Sequence, residues 1–181
     1  TLQRAAEPEA SPIAGSWQLA PIAGALKVGP NVDDGSWYQN SEGDVTVRGC
    51  LFDDVITFGA DGSATIEMDG STWLESWQGV DEGCGTPIAP HDGANPGTYS
   101  YDADAGQVTL QGQGTFIGLA KAYNGCEIGK DGCAAQIPGD APAEIVYDIE
   151  LLEDGNARVS LEIGGGYWTF TLQRAAEPEA S

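Results

Sequence analysis

One histidine, four cysteines, five tryptophans and 28 carboxylates are the residues from which any chemistry of this chain must be built. His91 is the single histidine, so a Ser-His-Asp or Cys-His relay would have to run through it. It lies in Pro90-His91-Asp92-Gly93, a turn composition, and a structural turn histidine bonded to backbone is the expectation. A glycosidase needs two carboxylates at a defined separation. Asp53-Asp54 is the best placed pair, but adjacent strand residues point to opposite faces. Calcium needs several oxygen ligands from a flexible loop. Asn31-Val32-Asp33-Asp34-Gly35 and Asp102-Ala103-Asp104-Ala105-Gly106 offer oxygens without the EF-hand spacing, so calcium is the one cofactor entertained and no metal ligand set is assigned. Glycan recognition uses aromatic faces against sugar CH groups, with charged and amide groups on the hydroxyls. Trp37, Tyr38, Trp73, Trp77 and Tyr123 lie in loop-rich segments, and Arg48, Asp53, Asp54, His91, Lys121 and Asn124 could supply the polar partners. Trp17 and Trp168 read as core, and Trp73 and Trp77 equally read as caps of a barrel. Trp37, in Gly35-Ser36-Trp37-Tyr38, reads as the exposed one.

The cysteines form no C-x-x-C pair, which with one histidine argues against zinc. Two disulfides in an exported protein fit better. Of the three pairings four cysteines allow, Cys50–Cys84 and Cys126–Cys133 are favoured. The second closes Glu127-Ile128-Gly129-Lys130-Asp131-Gly132, whose two glycines permit a tight path. The net charge of -21 repels phosphate backbones and anionic lipid, which argues against nucleic acid and membrane surfaces as partners. No stretch approaches the roughly 20 apolar residues of a membrane span.

The elements that must position these groups are strands. Glycines and prolines interrupt every window long enough for an amphipathic helix. Val55-Ile56-Thr57-Phe58 and Ser63 to Met68 flank an Asp61-Gly62 turn, a hairpin signature. Thr98 to Tyr101 with Gln107 to Leu110, and Ile145 to Leu152 with Ala157 to Ile163, make two more hairpins. Tyr167 to Leu172 closes the set, and Gly15 to Leu19, Ala25 to Val28 and Thr115 to Leu119 are shorter candidates. Eight to ten antiparallel strands with local connections predict an all-β, antiparallel barrel, with a β-sandwich as the alternative.

TLQRAAEPEAS occurs twice, at Thr1 to Ser11 and at Thr171 to Ser181. A period of roughly 170 residues suits a complete domain rather than a solenoid repeat. The expected organisation is one unit plus an overlap from a tandem array, the alternative being an engineered duplication. Residues 1–11 would be the end of a preceding repeat and its linker, 12–173 the barrel, and 174–181 the linker onward. Thr1-Leu2-Gln3 would copy the final strand of a neighbouring unit. A linker of about eight residues containing proline is semi-rigid.

Gly15-Ser16-Trp17 resembles the G-x-W opening strand of lipocalin-like (calycin-like) barrels, where the tryptophan packs across the barrel base. A longer resemblance rests on Arg48 to Asp54, Trp73 to Gln78, Cys84 to Gly93, Gly118 to Gly125 and the closing Tyr167-Trp168-Thr169-Phe170. These are similar, over nearly the whole unit, to an uncharacterised module of secreted bacterial proteins found in tandem or beside laminarinase-type glycoside hydrolases. The resemblance implies an extracellular, non-catalytic accessory role and transfers no active-site residue. The Cys126–Cys133 segment departs from that pattern as an insertion. The function expected first is a structural or adhesive repeat module of a surface or fibre protein, partnered by neighbouring copies of itself. A glycan-binding accessory module, with polysaccharide as partner, is the alternative; a glycoside hydrolase comes last. Aromatic side chains clustered in one cleft would favour binding over a spacer.

Overall fold

Alternation of buried and exposed residues builds one closed barrel. In Glu144–Leu151, Ile145, Tyr147 and Ile149 are buried while Asp148 and Glu150 face solvent, the two-residue period of a strand with one wet face. The computed structural model describes residues 11–175. In chain order the strands are β1 Gly15–Leu19, β2 Leu26–Gly29, β3 Tyr38–Gln39, β4 Val55–Phe58, β5 Ser63–Glu67, β6 Thr72–Leu74 and β7 Gly83–Gly85. They continue as β8 Gly97–Asp102, β9 Gln107–Gln111, β10 Ala122–Tyr123, β11 Cys126–Glu127, β12 Glu144–Leu151, β13 Ala157–Glu162 and β14 Tyr167–Arg174.

The main sheet runs β1-β4-β5-β8-β9-β12-β13-β14, and pairing of β14 with β1 closes it. The three hairpins anticipated from the sequence are β4–β5, β8–β9 and β12–β13, all antiparallel. Closure of a single sheet rules out the β-sandwich alternative. Arg174, read from the sequence as the first linker residue, is the last residue of β14. The expectations for Thr1-Leu2-Gln3 and for residues 176–181 lie outside the described residues.

The seam of this barrel splits. At one end β14 pairs through Leu172–Arg174 with β1, which is backed by β4. At the other end β14 pairs through Tyr167–Phe170 with β2, which is backed by β3. The chain changes partners between them at residues 20–25, hinged on Thr171. Ala20 N donates to the Thr171 carbonyl (2.9 Å), and Thr171 N donates to that of Ala25 (2.9 Å). Asn40, 1% exposed, pins this bend. Its Oδ1 accepts from Leu26 N (2.8 Å), and its Nδ2 donates to the Ile22 (3.0 Å) and Ser41 (3.2 Å) carbonyls. A buried amide is tolerated here because its groups are satisfied. The result is a β2–β3 flap over one barrel end.

Helix is minor, as the glycines and prolines imply: α1 Glu42–Val47 and α2 Gly49–Phe52 join β3 to β4. Ser41 and Asp44 form a capping box that starts α1, and α2 buries Leu51 and Phe52 against the barrel. One strand expectation fails: Thr115 to Leu119 is not a strand. Gly118 sits at φ +78° with the Phe170 ring where a Cβ would go, and Ile117 N donates to Tyr147 Oη (3.0 Å). The segment therefore folds inward instead of pairing along a sheet. Both disulfides have the anticipated partners, Cys50–Cys84 and Cys126–Cys133. The first ties α2 to β7; the second closes a loop over 126–133, whose Ile128 forms a small core with Ala135 and Ala141 against Trp77 and Tyr123.

The barrel interior is full. Trp17, Tyr147, Phe58 and Phe170 are each fully buried there, and the cavity beside Trp17 measures only about 30 Å³. That holds a water, not an organic ligand. Any ligand must bind outside the barrel.

Candidate functional site

At the barrel end carrying the flap, side chains from separate segments surround a cleft of about 400 Å³, within the usual range of small-molecule sites. Trp168 from β14 forms its floor with Val28, Leu119 and Ile163. The flap contributes Trp37 and Tyr38. Trp37 is 58% exposed, and its ring lies so close over Gly166 that a side chain there would displace it. Tyr38 meets Trp168 edge to face at 6.4 Å.

Cations alternate with these rings. The Arg48 guanidinium lies 5.4 Å from the Tyr38 ring centroid and 4.5 Å from that of Trp73. Lys121 Nζ lies 5.7 Å from the Trp168 centroid. Such placements are attractive because the ring face is electronegative. Lys121 is shared by two carboxylates, Glu75 (3.6 Å) and Glu127 (3.8 Å), and Trp168 Nε1 donates to Glu127 (3.0 Å). Tyr38 Oη is buried without a hydrogen-bond partner, and burial pushes its pKa upward while the Arg48 charge pulls it down. The charged row Glu75, Lys121, Glu127 and Lys130 also borders a second depression, of about 330 Å³, reaching Trp77. The two together make a groove with aromatic rings at both ends.

The anticipated residues divide as follows. Trp37, Tyr38, Arg48 and Lys121 share the cleft, Trp73 backs Arg48, and Trp77 stands at the far end of the groove. Asn124 does not join them: its amide exchanges hydrogen bonds with Val146, donating from Nδ2 (2.7 Å) and accepting at Oδ1 (2.8 Å). His91 is 3% exposed, wedged edge-on between Trp77 (5.5 Å) and Phe116 (5.7 Å). Its backbone N–H closes a turn onto Ile88, but its Nδ1 is buried without a partner, so the side chain is not held by backbone as anticipated. Burial lowers its pKa to about 4, with Asp92 opposing.

Asp53 and Asp54 part ways. Asp53 is exposed on an outer depression beside Glu67 and Asp69. Asp54 lines the small cavity inside the barrel, where its Oδ2 accepts from Thr72 Oγ1 (2.5 Å) and its Oδ1 has no partner. The two acidic loops are engaged internally. Asp33 pairs with Lys27 (3.1 Å) and Arg158 (3.5 Å), and Asp102 Oδ1 accepts from Asp104 N (3.0 Å) and Ala105 N (3.1 Å) in the β8–β9 turn. Among the described residues no three His, Cys, Asp or Glu side chains converge on a point that could hold a metal ion.

Besides the apolar floor residues Val28, Leu119 and Ile163, four cleft residues are not evident from the sequence. Trp168 was read as core, and at 5% exposure it is both core and floor. Glu75 and the pair Glu127 and Lys130 share no local pattern, because Glu75 lies far before the loop that carries the other two. The loop closed by Cys126–Cys133 supplies Glu127 and Lys130.

No family model matches the chain, and no curated protein matches it significantly in sequence. The class is therefore the one the fold defines: a closed, eight-stranded antiparallel, lipocalin-like barrel. Two disulfides brace it, and no described helix is long and apolar enough to cross a membrane.

Proposed function

We propose that this chain is a non-catalytic, extracellular repeat module whose cleft binds a glycan. One observation carries the reading: exposed Trp37 joins Tyr38 and Trp168 with Arg48 and Lys121 in a single cleft, while the barrel interior is filled. Flat rings accept the CH faces of a sugar, and the ionic groups around them accept and donate to its hydroxyls. The two depressions sharing Glu75, Lys121, Glu127 and Lys130 suit several linked sugars rather than one. The disulfides support an exported protein. The duplicated end segment supports a tandem arrangement, in which weak sites gain avidity. A spacer role is compatible with this one, since a repeated module can hold both.

A hydrolase is the weaker reading. Asp53 and Asp54 open into different depressions, and Glu75 and Glu127 are engaged by the same lysine. A glycan array probed with the single unit, followed by calorimetry on the hits, tests the proposal. Trp37→Ala is expected to weaken binding about tenfold or more, as removal of an aromatic anchor does, with the circular dichroism spectrum unchanged. Equal binding by the variant, or release of reducing ends from a bound oligosaccharide, would contradict it.

A further inference from the structure

We infer that the saccharide is acidic, carrying a carboxylate or a sulfate ester that Arg48 recognises; this rests on the glycan reading of the cleft. The chain has only seven lysines and arginines against a net charge of -21, yet Arg48, Lys121 and Lys130 all line this one cleft. Three cations there face two carboxylates, Glu75 and Glu127. Concentrating scarce cations against the sign of the whole surface is not needed for a neutral sugar.

The cations are not equivalent. Lys121 is shared by Glu75 and Glu127 and is compensated. Arg48 and Lys130 have no carboxylate at salt-bridge distance among the described residues, Asp44 acting on Arg48 from farther off. Arg48 lies over the rings of Tyr38 and Trp73, contacts that do not use its N–H groups. No hydrogen bond from those groups occurs among the described residues. A planar guanidinium with free donors matches the two oxygens of a carboxylate or sulfate in a forked pair. Tyr38 Oη lies buried beside it, within reach of the Asp44 carboxylate on α1, which also acts on Arg48. The carboxylates near Lys121 repel anions at that point and accept sugar hydroxyls instead. The acidic group is thereby directed to Arg48, with Lys130 at the rim adding attraction from farther off. An acidic surface elsewhere disfavours long polyanions, so the fitting ligand is a short acidic oligosaccharide or chain end.

Isothermal titration of the full chain with three tetrasaccharides tests this: an oligouronate, a sulfated galactan and a neutral β-glucan. At least one acidic probe is expected to bind tenfold or more tighter than the neutral one, and comparison of the two acidic probes distinguishes carboxylate from sulfate. Arg48→Met is expected to lower the acidic-to-neutral affinity ratio by about 10- to 100-fold, the usual scale for a charge-assisted bond. Lys130→Glu, at an exposed position, is expected to lower the same ratio several-fold and decides the matter if Arg48→Met fails to fold. A neutral probe that binds as tightly as both acidic ones, or variants that leave the ratio unchanged, would overturn the acidic inference and leave the glycan reading standing. Failure of all three probes to bind would overturn both.

Discussion

Truncation of Trp17 to alanine is expected to cost about 3–5 kcal/mol and to lower the melting temperature by roughly 10 °C or more. The residue is fully buried where the barrel closes, opposite Arg174 on β14 and Ile56 on β4. Its Nε1 donates to the Ile13 carbonyl (2.8 Å). The Arg174 guanidinium lies 3.9 Å from its ring centroid and donates to the carbonyls of Ala14 (2.6 Å) and Pro12 (2.8 Å). The truncation therefore opens a large cavity, orphans a buried carbonyl and unseats the arginine that fastens the chain entering β1. Trp17→Phe keeps most of the volume and loses the hydrogen bond, so a smaller loss of about 1–2 kcal/mol is expected. Urea denaturation of both variants measures the difference. A loss below 1 kcal/mol for Trp17→Ala would show that closure does not depend on this stack.

Asp54→Asn is expected to stabilise the protein at neutral and alkaline pH. Burial raises the Asp54 pKa from 3.8 to about 8, with the Thr72 hydrogen bond opposing and Asp53 adding slightly. The folded state thus keeps a proton over a range where the unfolded chain has released it. The stability Asp54 contributes is fully present below about pH 3.8 and is lost as pH rises through about 8. The amide stays neutral throughout. The advantage of the variant should grow with pH by up to about 1.4 kcal/mol per unit, reaching roughly 2–4 kcal/mol near pH 8. His91 acts with the opposite sign: its pKa is lowered to about 4, so its stability is present above 6.5 and lost as pH falls below that value. Subtracting the wild-type profile from that of Asp54→Asn cancels the histidine. A flat difference between pH 4 and 8 would contradict the buried, half-partnered carboxyl.

The barrel was legible because its signals are local. An Asp61-Gly62 turn between alternating segments specifies a hairpin within a dozen residues, and β4–β5 follows. Gly15-Ser16-Trp17 and the closing Tyr167-Trp168 stand on the two strands that meet at the seam. Thr115 to Leu119 misled because its apolar run is buried by folding inward, where Phe170 covers Gly118, and apolar runs alone do not separate these cases. The short helices escape a reading of composition over long windows; their signal is the local capping pattern Ser41-Glu42-Gly43-Asp44.

The cleft was only half legible. Trp37 stands out by its polar, glycine-containing neighbours, whereas nothing local in the sequence says that Tyr38, Arg48 and Lys121 meet. What brings them together is the partner change of β14 between β1 and β2, held by Asn40, and no local motif announces it. Asn124 has the chemistry of a sugar ligand, but its amide is occupied by the β12 backbone.

The five tryptophans allow the most direct test of the cleft. Their indole N–H signals, followed by ¹⁵N–¹H correlation spectroscopy during titration with a bound oligosaccharide, report each position separately. Trp37 and Trp168 line the cleft and should shift most, with a smaller movement at Trp77 along the groove. Trp17, at the other end of β14 and roughly 20 Å away, should stay in place. Shifts confined to other surfaces, or a Trp37 signal unmoved at saturation, would show that the cleft is not the binding site.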